Sequence, residues 1–139
     1  MSSLTSSPLL KRVLLVDGLT SLTLGVLLMV AAGVASTALG LPEGLLRAAG
    51  LICLPFGAGV LWLARQGRPP EAAIWAVIAA NGGWVAASIV LLVSGWVAPT
   101  VLGMVVVIAQ AVIVGLFADL QYLGLRRGHP KLHGQPANP

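Results

Sequence analysis

Four long apolar runs, each bounded by a short polar or turn-forming segment, dominate the chain. They cover about residues 13–38, 44–64, 72–94 and 99–125. Each is about 20 residues or longer, the length an α-helix needs to cross the ~30 Å hydrocarbon layer of a bilayer. The pattern predicts an all-α membrane protein, an up-down bundle of four transmembrane helices. The first run follows Lys11-Arg12, which is also the layout of a signal peptide. Its apolar core is too long for that, and further runs follow, so it reads as an uncleaved first span.

The interruptions carry their own chemistry. Residues 1–12 are Ser/Thr-rich with Pro8, and read as a short N-terminal segment ahead of a transmembrane domain at 13–127. Gly40-Leu41-Pro42-Glu43 reads as a turn; Pro42 suits a first helical position, and Glu43 with Arg47 forms an acid-before-base pair four residues apart. Pro55 falls inside the second run and predicts a bend there. The stretch from Arg65 to Glu71 is the most polar internal one, and Pro70-Glu71 suits the start of the third helix. Ser94-Gly95-Trp96-Val97-Ala98 makes a second tight turn before Pro99. Residues 128–139 hold three prolines and no apolar period, the composition of a disordered tail.

Charge then gives the chain a direction. Only 9% of residues are charged, where a soluble domain carries about a quarter. Lys11, Arg12, Arg65, Arg68, Arg126, Arg127 and Lys131 fall on one side of the four runs and Arg47 alone on the other. Seven against one predicts that both termini are cytoplasmic in a multi-pass protein of the cell membrane. Trp62, Trp75 and Tyr122 then stand near the inner interface and Trp96 near the outer one. The basic residues cap apolar runs instead of forming a groove-reading patch, which excludes nucleic acid as the partner despite a pI near 10.3.

Polar groups inside the runs are the candidate site residues. Asp17 lies five residues beyond Arg12, about 7 Å deeper on a helix, and Asp119 lies seven before Arg126, about 10 Å deeper. Each is either a proton- or cation-binding group or a carboxylate tolerated near the interface; Asp119 would then snorkel, or be held by Arg126, Arg127 or a neighbouring polar group. The dipole of the first helix favours an acid at Asp17, whereas that of the last disfavours one at Asp119. In an up-down bundle the two acids share the cytoplasmic half. Asn81 and Gln110 fall near the middle of the third and fourth runs, and are expected to bond to each other between helices, the alternative being that they line a substrate path. Gln110 and Gln121 share a face of the last helix to within about 20°, with Asp119 on the opposite side from Gln110.

Small residues mark the expected contact faces. They are Gly18, Ser21, Gly25 and Ala32 in the first run, and Gly50, Cys53 and Gly57 in the second. In the third they are Ala72, Ala76, Ala80, Gly83 and Ala87, and in the fourth Ala111 and Gly115. Lipid gives helices little hydrophobic reason to associate, so close backbone approach supplies the packing.

Reactive constellations are missing. Both histidines, His129 and His133, are in the tail with Pro130 between them, which leaves no Ser-His-Asp set, no haem pair and no zinc site. The single cysteine, Cys53, excludes an internal disulfide and reads as a packing residue. No catalytic residue, metal or cofactor is expected, and the chain does not read as an enzyme.

Leu54-Pro55-Phe56, Asn81, Gly95-Trp96 with Pro99-Thr100, Ala109-Gln110-Ala111 and the run Gln121 to Arg127 resemble a family of small, uncharacterised bacterial four-span membrane proteins. The resemblance covers most of residues 11–127; it implies an integral protein of the bacterial inner membrane and no particular activity. Two functions remain in view. One is a non-enzymatic protein working through helix-helix contacts, as an accessory subunit or self-assembling scaffold, with a second copy or another membrane protein as partner. The other is a proton- or cation-coupled transporter or channel that uses Asp17 and Asp119, as an oligomer.

Overall fold

In the computed structural model residues 7–128 are described, and they form four α-helices. These are α1 (Pro8–Leu39), α2 (Glu43–Arg65), α3 (Glu71–Val93) and α4 (Val101–Gly128). All four are long and apolar enough to cross a membrane. Their outer surfaces stay apolar: Val30 is 82% exposed, Val93 75% and Val101 74%. An unscreened surface of that kind is compatible with lipid as solvent and not with water.

Local sequence sets the ends. Ser7 caps α1, its hydroxyl oxygen accepting from the Leu10 amide at 3.2 Å, and Pro8 follows in the first turn. Gly40 closes α1 in the left-handed conformation (φ 65°), a geometry that suits glycine. Glu43 and Glu71 lie in the first turns of α2 and α3, and Arg65, Arg126 and Arg127 in the last turns of α2 and α4. Each charge therefore complements its helix dipole. Thr100 caps α4 through its hydroxyl oxygen, which accepts from the Gly103 amide at 3.0 Å. That hydroxyl also donates to the Ala38 carbonyl at 2.8 Å, fastening the start of α4 to the end of α1.

The ends differ from the expected ones in an instructive way. With Ser7 as cap, α1 starts at Pro8, so Lys11 and Arg12 ride on the helix instead of preceding it. Capping by Thr100 moves the start of α4 to Val101, and the helix runs on to Gly128. The rest of the expected tail, with His129 and His133, lies outside the described residues, as do residues 1–6. Pro55 sits within one continuous α2; the non-helical backbone is in α1, at Ala31 (φ −108°, ψ 15°). Beside it the Arg47 guanidinium donates to the Met29 carbonyl at 3.3 Å, a side chain entering the helical ladder where the ladder breaks.

Packing follows the glycines. A Cβ on Gly57 would stand 2.8 Å from the Gly18 carbonyl oxygen, and one on Gly50 3.0 Å from that of Gly25. The antiparallel α1–α2 pair is thus joined backbone to backbone. α4 lies against α1 on another side: Gly124 faces the Leu10 backbone, and a Cβ on Gly103 would collide with the Leu39 carbonyl. α3 packs on α4, while α2 and α3, though joined by a short loop, do not pair along their length. The helices are therefore ordered α2, α1, α4, α3 around a centre, with α2 and α3 closing the ring through side chains of one apolar cluster and not through close backbone contact. At the end bearing both termini, Leu10, Leu14, Val60, Leu63, Ile74 and Leu125 form an apolar plug. At the other end Ala32, Leu41, Leu46 and Val107 form a second.

Candidate functional site

Between the plugs, polar side chains interrupt the buried stripes of three helices. On α1, Asp17 follows Leu10 and Leu14 on the inward stripe, with Ser21 one turn on. On α3, Asn81 continues the stripe of Ile74 and Val77, and on α4 Gln121 is one turn from Leu125. The stripes bring the three together at the end of the bundle that bears the termini. Asp17 is 1% exposed, Asn81 4% and Gln121 0%.

Their hydrogen bonds close on one another. The Gln121 amide nitrogen donates to Asp17 Oδ2 at 2.6 Å, and that of Asn81 donates to the same oxygen at 2.8 Å. The Asn81 nitrogen also donates to Gln121 Oε1 at 3.1 Å. Asp17 Oδ1 is engaged more weakly, by the Ser21 hydroxyl at 3.4 Å. Among the described residues no buried side-chain nitrogen or oxygen lacks a partner. What the carboxylate lacks is a cation: no Lys or Arg side chain among the described residues lies within ion-pair distance of it.

A second cluster joins α3 to α4. The Trp84 indole donates to Gln110 Oε1 at 2.8 Å, and the Gln110 amide donates to the Ser88 hydroxyl at 2.9 Å. Ser88 in turn donates to the Trp84 carbonyl at 2.8 Å. A cavity of about 240 Å³ lies between the clusters, reached by Asp17, Ser21 and Asn81 from one and by Trp84 and Gln110 from the other. Phe56, Phe117 and Cys53 contribute to its apolar walls.

The residues singled out from sequence are redistributed by this geometry. Asn81 and Gln110 both bond between helices, but not to each other: Asn81 joins Asp17 and Gln121, and Gln110 joins Trp84 and Ser88. The reason is register, since in the antiparallel α3–α4 pair Asn81 stands level with Gln121, whereas Gln110 stands level with Trp84 and Ser88. Asp17 and Asp119 do not meet. Asp119 is exposed, at one end of an outer groove between α3 and α4. Neither Arg126 nor Arg127 holds it; the Arg126 guanidinium lies over the Tyr122 ring at 5.6 Å, and that ring packs against Trp75 at 5.8 Å. Gln121 is the site residue left out of the candidates, although sharing a face with Gln110 was the signal that put it inside the bundle.

Among the described residues no group of three His, Cys, Asp or Glu side chains is placed to hold a metal. The arrangement offers instead one carboxyl oxygen pair, fixed by neutral amides and adjoining a partly open cavity. Comparison of the chain with family models, with curated proteins and with solved structures finds no match in any of the three.

Proposed function

We propose that this is a non-enzymatic integral protein of the cell membrane, both termini cytoplasmic, in which Asp17 binds a proton or other cation reached through the bundle cavity. One observation carries the reading: a carboxylate 1% exposed, held by neutral donors, opposed by no cation among the described residues and adjoining a cavity. A purely structural joint between helices is served as well by a neutral amide, whereas a buried charge loses several kcal/mol of hydration (roughly, for an unpaired ion). Intramembrane acids therefore point to ion or proton sites. The orientation rests on the seven-to-one distribution of basic residues. Asp119, exposed on an outer face, takes no part.

The test is proton or cation flux in vesicles reconstituted with the purified protein. Asp17→Asn keeps an acceptor oxygen for Asn81 and Gln121, so the bundle survives, and flux is lost. Asp119→Asn leaves flux unchanged. Undiminished flux in the Asp17 variant overturns the reading.

A second reading has its own observation. The small face of α3, Ala72, Ala76, Ala80, Gly83 and Ala87, is exposed, and a Cβ on Gly83 would meet nothing within 4 Å. That face suits a helix of a second copy or of another membrane protein, as in an accessory or scaffold subunit. A solitary monomer as the mass of the solubilised protein, with no co-purifying chain, removes this reading.

A further inference from the structure

The cavity has a chemical character of its own. Its one formal charge is Asp17, and no basic side chain among the described residues lies within ion-pair reach to neutralise it. Oδ2 already accepts two amide donors, but Oδ1 has only the 3.4 Å contact from Ser21. A serine hydroxyl rotates freely, so a stronger donor can take its place on that oxygen. Away from the carboxylate the walls are apolar and aromatic, with Phe56, Phe117 and the Trp84 ring, surfaces that favour a cation with an apolar body. Size narrows the choice: a cavity of about 150 Å³ holds a benzene ring. About 240 Å³ leaves room for a ring and a short arm. The cavity is partly open and not sealed, so a ligand has a way in.

We infer that this cavity binds a small monoamine with an apolar, ring-sized body, its ammonium on Asp17 Oδ1 and its body between Phe56, Phe117 and Trp84. The inference rests on the reading of Asp17 as a cation site and names the class of cation. It predicts selectivity by charge at constant shape. A neutral alcohol of the same skeleton keeps the apolar contacts and loses the ion pair, and a carboxylate is excluded by repulsion.

The experiment uses the full chain in nanodiscs with Trp62, Trp75 and Trp96 replaced by Phe, leaving Trp84 as the single reporter. The probes are 2-phenylethylamine, 2-phenylethanol and 3-phenylpropanoate. The amine gives a saturable change in Trp84 fluorescence, and the alcohol binds at least about tenfold more weakly, as the loss of a charge-assisted bond implies. Asp17→Asn weakens the amine by at least about tenfold and leaves the alcohol unchanged. Protection of Cys53 from a membrane-permeant maleimide by the amine, lost in the Asp17 variant, is a second readout that does not depend on the tryptophans. Equal binding of amine and alcohol, an unchanged amine affinity in the variant, or no saturable response and no protection overturns the inference. If Asp17-dependent proton flux persists alongside such a result, only the amine falls; if flux is also independent of Asp17, the cation site falls with it.

Discussion

Gln121→Leu is the sharpest test of what joins the two hairpins. Leucine nearly preserves the volume while deleting the amide that donates to Asp17 Oδ2 at 2.6 Å and accepts from Asn81 at 3.1 Å. Interhelical hydrogen bonds in membranes contribute on average ~0.6 and at most ~1.7 kcal/mol each. The bond to Asp17 is short and charge-assisted, which places it near the upper figure. Together the two predict a loss of about 2 kcal/mol. The second N–H of Asn81 also loses its acceptor. Unfolding in bicelles, driven by an anionic detergent and followed by tryptophan fluorescence, measures the loss. A cycle with Asn81→Leu then separates network from sum: residues sharing one acceptor couple by roughly 0.5 kcal/mol or more. A loss under about 0.5 kcal/mol, strictly additive with that of Asn81→Leu, refutes the idea that these amides act as one joint on Asp17.

Gly57→Leu drives a side chain into the backbone of α1 at Gly18 and Leu22; it is expected to destabilise by about 1–3 kcal/mol or more, read in the same unfolding assay. Thr100→Val removes the cap of α4 and its bond to the Ala38 carbonyl, a loss of about 1 kcal/mol, with faster hydrogen exchange in the first turn of α4 as its local mark. Asp119→Asn, at an exposed position with no ion-pair partner among the described residues, changes stability by less than about 0.5 kcal/mol, and a larger loss would reveal a partner group for this acid.

Much of this architecture is legible in the sequence because lipid imposes strict rules. Run length gives the helices, and the flanking prolines, glycines and acids give their ends to within a few residues. Gly18 and Gly25 opposite Gly50 and Gly57 could be matched as faces because a seven-residue spacing repeats on both helices. What could not be read is which inward polar group meets which. Depth in the membrane placed Asn81 and Gln110 together, but pairing depends on the α3–α4 register, set by the turn before Thr100. The placement of Asp119 outside the bundle was implied by its angle to Gln110, yet choosing the inner face requires knowing that Gln121 follows Leu125 into the apolar plug. The small face of α3 looked like an internal contact and is exposed, because the core stripe of Ile74, Val77, Asn81 and Ser88 runs on the opposite side.

The joint and the candidate site share their atoms. Glycine contacts hold α1 to α2, and the Trp84–Gln110–Ser88 bonds help hold α3 to α4. Across the two hairpins, the side-chain bonds of Asn81 and Gln121 both end on one oxygen of Asp17, and those bonds are strongest when Asp17 carries its charge. A cation arriving at the carboxylate competes with the amides for that charge, so it weakens the bonds that tie α3 and α4 to α1. On the proposed reading of Asp17 as a cation site, whatever binds there acts on the same bonds that tie the hairpins together.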